Sequence, residues 1–295
     1  MPVIILDKHT FWGEKMSKKI VKYHNDFNRL AINELSALEQ NVLFEILYRI
    51  KEQGDKKFKF TAEQIAAMID KNMTSKELFN LATSLGKKVL GICYIVIYPN
   101  AKEFTMLFDK LVIKDDNDGN LIDIELSLSR SFEYLLNNLF GNFTSFELLE
   151  FKNIQSKYAK TIYRNLKEHK VTGIWEVEWQ ELLRLLCVEK NLKNPTTRYI
   201  HNYILKPAIK ELTTSGNLFQ QSFQNLTYKK TYKAIDREQR LKKDSSKRGG
   251  RQIDKIIFTF TPEKMPEKND TAILHNAKAK LESKGKRVTM KITEK

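Results

Sequence analysis

The chain has 295 residues, and its 51 Lys and Arg against 36 Asp and Glu give a formal net charge of +15. A hydrophobic content of 41% excludes a wholly disordered polycation, and the length is enough for two ordinary domains. Cys93 and Cys187 are too few for a disulfide framework or a thiolate metal site. They favour a reducing compartment, so we expect a cytoplasmic protein.

The sequence contains no uninterrupted apolar stretch of about 18 residues, the length that a membrane-spanning helix needs. The apolar run at residues 3–6 is far shorter than the core of a signal peptide, and no basic residue precedes it. We therefore expect a soluble chain with no signal peptide and no membrane partner.

The positive charge is unevenly distributed along the chain. Residues 1–141 have a net charge of 0, residues 142–262 of +11 and residues 263–295 of +4. A neutral part joined to a basic part indicates that one domain meets a polyanion, and nucleic acid is the leading candidate. An anionic membrane would call for a basic amphipathic helix, whereas the densest basic stretch, residues 229–251, is predicted to be largely a loop.

The first half predicts three helices followed by three strands. Ser36 with Glu39 and Thr61 with Gln64 have the spacing of capping boxes, and Thr74 precedes a third periodic segment. The first helix is predicted over residues 37–51. The strands, rich in β-branched and aromatic residues, are predicted over residues 94–98, 104–113 and 121–128, with a turn at Asp118-Gly119-Asn120 before the last. Three helices and a small sheet describe a winged-helix domain.

The second half repeats this order. A helix is predicted over residues 156–169, followed by a strand at residues 175–179 and a helix through residues 182–186. Asn194 and Pro195 are predicted to begin the next helix, as N-cap and first helical residue, and it runs to about Leu212 with Pro207 expected to kink it. Strands at about residues 223–232 and 255–260 flank the basic loop.

The predicted fold class is therefore α+β, with two tandem winged-helix domains and a basic C-terminal tail. The predicted divisions are an N-terminal arm at residues 1–20, a first domain at 21–141, a second at 142–262 and a tail at 263–295. We expect the tail to be mobile.

Three segments in this order resemble a known family. Residues 143–167, which contain Ser-x-Tyr-Ala and Ile-Tyr-x-x-Leu elements, resemble the entry to the family's second winged helix. Residues 205–212 resemble the end of its recognition helix, and residues 249–260 resemble the return strand of its wing. The chain, over roughly residues 20–262, is similar to the iteron-binding plasmid replication initiators called the Rep3 or RepB family.

The resemblance implies an initiator that binds tandem direct repeats at a plasmid origin as a monomer. It also implies a homodimer, formed through the first domain, that represses the initiator's own promoter at an inverted repeat. Host initiator and replicative helicase proteins are the further partners that it implies.

The helix after Asn194 is the predicted recognition helix, because the second helix of a helix-turn-helix enters the major groove. Ile200, Ile204 and Ala208 form its inward stripe, which Tyr203 could join. Arginine pairs bidentately with guanine and asparagine with adenine. The predicted DNA contacts of this helix are therefore Arg198 and Asn202 for base readout, Thr196, Thr197 and Lys206 for phosphates, and His201 as a further contact.

Other predicted DNA contacts lie outside this helix. A wing can follow the backbone or enter a minor groove, which would use Lys242, Lys243, Lys247, Arg248 and Arg251. Ser156 and Lys157 are candidates at the start of the helix predicted over residues 156–169. In the neutral first domain the candidates are Lys76, Asn80, Thr83, Lys87 and Lys88. We expect a dimerising or positioning role for this domain, and simple solvent exposure explains each of these residues equally well.

No catalytic, metal or cofactor site is predicted. A rolling-circle relaxase needs a His-x-His metal element beside its tyrosine nucleophile, and none of the five histidines has another two positions away. Tyr199 and Tyr203 are interpreted as packing residues. The segment from Asp116 to Glu125 resembles a calcium loop, but Lys114 occupies its first ligand position, and a hairpin turn explains its glycine more simply. A dimeric repressor and an origin-nicking relaxase stand as alternatives to the initiator.

Overall fold

The structure, a computed structural model, describes residues 4–5, 18–51, 53, 57–69, 71–98, 100–137, 139, 141–193, 195–213, 223–233 and 252–263. The chain divides into two units, Met1–Thr261 and Pro262–Lys295, and the helices and strands given below belong to the first. Most of the predicted arm, and the predicted tail beyond Glu263, lie outside the described residues. No helix of the described residues is long and apolar enough to cross a bilayer.

The first half contains three α-helices, two 3-10 helices and seven strands among its described residues. In chain order they are β1 (Ile4–Ile5), β2 (Ile20–His24), a 3-10 helix (Asn25–Arg29), α1 (Ala37–Ile50), β3 (Lys57–Thr61), α2 (Ala62–Met68), α3 (Ser75–Val89), β4 (Cys93–Tyr98), β5 (Ala101–Met106), β6 (Phe108–Asp115), β7 (Leu121–Leu128) and a second 3-10 helix (Arg130–Leu135). Ser36, Thr61 and Thr74 each cap a helix through a complete capping box. The predicted starts of α1, α2 and α3 are confirmed.

The sheet of the first half has β7 between β3 and β6, with antiparallel pairing on both sides. The predicted hairpin turn between β6 and β7 is confirmed, with Gly119 at φ 82°. The single strand predicted over residues 104–113 is wrong. It breaks at Leu107, because β5 pairs with β4 as a separate hairpin while β6 pairs with β7. The buried side chains of Leu107 and Phe108 anchor the break in the core.

The second half has the same plan. In chain order its elements are β8 (Phe143–Glu147), α4 (Leu148–Asn153), α5 (Lys157–Glu168), β9 (Ile174–Glu178), α6 (Trp179–Leu185), α7 (Val188–Asn191), α8 (Thr197–Tyr199), a π-helical segment (Ile200–Leu205), α9 (Lys206–Thr213), β10 (Thr227–Tyr232) and β11 (Ile253–Thr259). β11 lies between β9 and β10, as β7 lies between β3 and β6. Both halves are therefore winged helices, as predicted, although β10 begins four residues later than expected.

The two halves share one core. β2 of the first half pairs antiparallel with β8, which enters the second. Helix α5 packs against elements of both halves and is buried at every position from Ala159 to Leu166. Six buried rings form what we call the shared aromatic cluster: Tyr23, Phe27, Phe44, Phe146, Phe151 and Tyr163.

Candidate nucleic-acid interface

The predicted recognition helix, which we go on calling the recognition helix, covers residues 197–213 of the second half. Its N-cap is Thr196. The Thr196 hydroxyl accepts a hydrogen bond from the backbone N–H of Tyr199 at 3.1 Å. The predicted start at Asn194 and Pro195 is therefore wrong by two residues, because Thr196 supplies the capping oxygen instead. Asn194 itself lies outside the described residues.

A π-helical segment widens this helix just before Pro207. The backbone N–H of Lys206 reaches the carbonyl of His201, five residues back. Proline has no N–H to donate and its ring would clash with the carbonyl four residues earlier in a regular α-helix. The widened turn accommodates Pro207 and lets the helix continue to Thr213.

The inward side of the helix is apolar, and the buried positions include Ile200, Ile204 and Ala208, as predicted. Tyr203 is not among them, because its side chain is 67% exposed. Tyr199 is 40% exposed, so the interpretation of these two tyrosines as packing residues is wrong. Their rings contact each other instead, with centroids 4.8 Å apart and planes at 36°.

The exposed side of the helix carries the predicted contacts Thr196, Thr197, Arg198, Asn202 and Lys206. Within the part of the chain that the structure describes, the side chains of Arg198, Asn202 and Lys206 have no hydrogen-bond or ion-pair partner. The free guanidinium and amide groups can therefore each present a bidentate edge to a base.

His201 joins the recognition helix to the sheet. Its Nδ1 is hydrogen-bonded to the hydroxyl of Tyr228 on β10. Desolvation and the nearby charges of Lys230 and Lys206 lower the pKa of His201, so the ring is neutral at pH 7. The His201 side chain is half-buried. Its contact with Tyr228 fixes the helix against β10, the strand that leads into the wing.

Ser156 and Lys157 lie where the two halves meet. The Ser156 hydroxyl caps α5 by accepting from the N–H of Ala159 at 3.3 Å. Lys157 is half-buried, and burial lowers its pKa, with a further contribution from the positive charge of Lys88 in the first half. Its ammonium lies 5.3 Å from the ring centroid of Tyr158.

The corresponding helix of the first half, α3, presents Lys76, Asn80 and Lys87 to solvent, with Thr83 half-buried. Lys88 is held by the fold, because its ammonium lies 2.8 Å from the buried Glu39 carboxylate.

Glu39 connects this lysine to α1. Burial opposes its ionisation, but hydrogen bonds from Lys88 and Ser84 and from the backbone of Ser36 outweigh burial and lower its pKa. The carboxylate is therefore ionised at pH 7 and orders Lys88 rather than leaving it fully available to a ligand.

The predicted wing contacts fall outside the described residues: Lys242, Lys243, Lys247, Arg248 and Arg251. The base of the loop is described. The N–H of Lys233 donates to the carbonyl of Gln252 at 3.0 Å, which closes the ends of β10 and β11. The described part of the hairpin therefore ends at Lys233 and Gln252.

The calcium-like segment serves as a turn. The Asp116 carboxylate accepts hydrogen bonds from the backbone N–H groups of Asp118 and Asn120, and Lys114 bonds to Glu125 at 2.6 Å. Among the described residues, no group of three or more His, Cys, Asp or Glu side chains is arranged to hold a metal ion. His24 accepts from the N–H of Asp26 and contacts the ring of Tyr134 edge-on.

Two family models match the chain. The model described as "Initiator Replication protein, WH1" matches residues 20–167, and "Initiator Rep protein, WH2" matches residues 178–260. The chain belongs to this Rep3 family of initiator proteins. The resemblance found in the sequence is thereby confirmed, and the first model extends through α5, which the structure shows to be packed against both halves.

This Rep3 protein is similar to two characterised or curated proteins. It is 31% identical over 198 residues to "Probable replication protein rep" of Bifidobacterium longum (strain NCC 2705), over 66% of this chain and 65% of that protein. Its fold is similar to that of the Pi initiator protein solved in complex with iteron DNA, with a TM-score of 0.55 and 18% identity, over 84% of this chain and 99% of that one. The second likeness concerns the fold.

Proposed function

We propose that this Rep3 protein is a non-enzymatic plasmid replication initiator that binds tandem repeats, or iterons, at an origin. The observation that carries the proposal is the recognition helix of the second half, with Arg198, Asn202 and Lys206 exposed and unpaired within the described chain. The net charge of +11 on residues 142–262 supports a polyanionic partner for this half. Family membership supports initiation as the purpose of binding.

The proposed contacts divide into two classes. Arg198 and Asn202 read base edges, while Thr196, Thr197 and Lys206 hold phosphates and set the register of the helix in the major groove. The basic loop after β10 adds contacts to the backbone or to a minor groove. Helix α3 of the neutral first half adds a second half-site or a dimer contact.

The family resemblance supports further proposals about partners. The monomer binds the direct repeats of the origin, and a homodimer formed through the first half represses the protein's own promoter at an inverted repeat. Origin opening and recruitment of a host initiator and the replicative helicase follow binding, in the cytoplasm. A protein that acts in this way needs no cofactor.

Binding should be measured on a duplex selected from random sequences with the full-length chain. The logarithm of the association constant should fall linearly with the logarithm of the KCl concentration, with a slope of about −0.9 per phosphate neutralised. An association constant that does not change with salt would contradict the proposal.

Two variants separate base readout from phosphate contact. Arg198→Ala should weaken binding to the selected duplex by about 1–3 kcal/mol and leave binding to random duplexes nearly unchanged. Lys206→Ala, the matched control on the same helix, should weaken both by a similar factor and reduce the salt slope by about 1. Equal losses on both duplexes for Arg198→Ala would make it a phosphate contact.

The alternatives differ from initiation in what the gene region does. A plasmid without another origin should replicate when it carries the gene and its flanking DNA, whereas a dimeric repressor would not support replication. Metal-dependent nicking of supercoiled DNA would favour a relaxase. The sequence argues against a relaxase, because no two of its histidines have the His-x-His spacing.

A further inference from the structure

Two exposed tyrosines lie one turn apart on the recognition helix. Tyr199 is 40% exposed and Tyr203 67% exposed, and their rings contact each other at a centroid distance of 4.8 Å. Within the described chain, neither phenolic hydroxyl has a hydrogen-bond partner. Exposed rings bury little surface on folding, and adjoining apolar groups on a protein surface can mark a contact with a ligand.

The surroundings of this pair are those of a nucleic-acid surface. Arg198 and Asn202 precede the two tyrosines in the helix and are exposed with them. On α5, the half-buried Tyr158 has the Lys157 ammonium 5.3 Å from its ring centroid. The charged residues of the helix from Thr196 to Lys210 are all basic, which complements DNA.

We propose that Tyr199 and Tyr203 together read thymine methyl groups in the major groove of the bound repeat. The inference rests on the proposed function, because it assigns specificity to the same helix. Among the four bases only thymine presents a methyl group there, and it is recognised by apolar contact. The two rings form one apolar surface wide enough for such a contact, and each hydroxyl remains available to the thymine O4 or to a phosphate.

The spacing of the two rings excludes a base stacked between them. A base stacked between the rings would need about 7 Å between them, which is twice an ordinary carbon–carbon contact distance. The observed separation of 4.8 Å leaves no room for a base. The pair therefore presents its outer edges, and a methyl group on the groove floor is the smallest apolar feature that these edges can contact.

The test uses the selected duplex with each thymine replaced in turn by deoxyuracil, which removes only the C5-methyl group. With the native chain, one or two positions should lose about fourfold in affinity, the loss expected for one buried methyl group. The double variant Tyr199→Ala/Tyr203→Ala should bind the thymine and deoxyuracil duplexes equally at those positions. Tyr203→Phe, which keeps the ring, should retain the discrimination at those positions.

Tyr134→Ala is the matched control, since Tyr134 is 44% exposed but lies in the first half. It should leave the deoxyuracil profile unchanged, and thermal melting should show every variant folded. The inference would be overturned if the native chain showed no deoxyuracil-sensitive position, or if the double variant had the same deoxyuracil profile as the native chain. Salt-dependent binding to the duplex would still support the proposed function in either case. Losses confined to a single-stranded oligonucleotide would assign the pair to base stacking instead. If selection enriches no duplex, the proposed function fails and the inference fails with it.

Discussion

The shared aromatic cluster predicts that the two winged helices unfold as one unit, and Phe44 on α1 is the position that tests it. Its buried ring contacts four other rings at centroid distances of 4.6–5.8 Å, two from residues 23–27 and two from residues 146–151. Phe44→Ala removes a fully buried aromatic side chain, which destabilises by about 3–5 kcal/mol. For a domain of this size the melting temperature should fall by roughly 6–20 °C.

Tryptophan fluorescence gives a sharp assay, because Trp175 and Trp179 are buried in the second half while Phe44 lies in the first. In a Trp12→Phe background, only these two tryptophans report. The fluorescence and far-UV circular dichroism transitions should coincide and shift together to lower urea concentration. The exposed Phe143→Ala should shift neither by much. An unchanged fluorescence midpoint beside an earlier dichroism transition would refute the shared core.

Three further predictions concern single buried or strained residues. Burial lowers the pKa of Lys160 to about 7, below its value in the unfolded chain. Above pH 7 the unfolded state therefore binds more protons than the folded state. The free energy of unfolding then rises with pH by up to about 1.4 kcal/mol per pH unit. Lys160→Met should remove this rise in urea unfolding at pH 7–9, and parallel pH profiles would contradict it. Because the pKa of Glu39 is lowered in the folded state, its contribution is present above the unfolded pKa and lost as pH falls through the folded one. Glu39→Gln should therefore lower the free energy of unfolding by about 1–3 kcal/mol at pH 7, and this difference from the native chain should shrink in acid. If the difference is unchanged at low pH, the ion pair with Lys88 is not the cause of the destabilisation. Gly173 has φ 67°, so Gly173→Ala should lower the free energy of unfolding by about 1–2 kcal/mol, and a neutral effect would show that the turn relaxes.

The local parts of the fold could be predicted from the sequence. Ser36, Thr61 and Thr74 begin helices because a capping side chain and its partner lie within one turn of each other. The winged-helix order follows from these boundaries and the alternating strands. The exposed positions of Arg198 and Asn202 also follow, since both lie off the apolar stripe of Ile200, Ile204 and Ala208.

The remaining features depend on contacts between distant residues. The pairing of β2 with β8 joins segments more than a hundred residues apart, and no local pattern indicates it. Lys160 and Arg164 read as polar positions of an amphipathic helix, yet α5 buries both because it packs against two halves rather than one. Their burial is a property of the shared core.

Tyr203 shows why the site was predicted only in part. A stripe of 3.6-residue period directs Tyr203 inward, but the π-helical segment adds to the turn and changes which side chains face the core. Pro207 was the available signal, because a proline inside a helix requires a local change in hydrogen bonding. Pro207 thus marks the widened turn that contains Tyr203.

We propose that the recognition helix of the second half reads sequence in double-stranded DNA. The most direct test is to repeat the duplex selection with Arg198→Ala and compare the enriched sequence with that of the native chain. We expect the preference to be lost at one position, a guanine in the native selection, while the rest of the enriched sequence persists. An enriched sequence identical to the native one at every position would contradict this proposal.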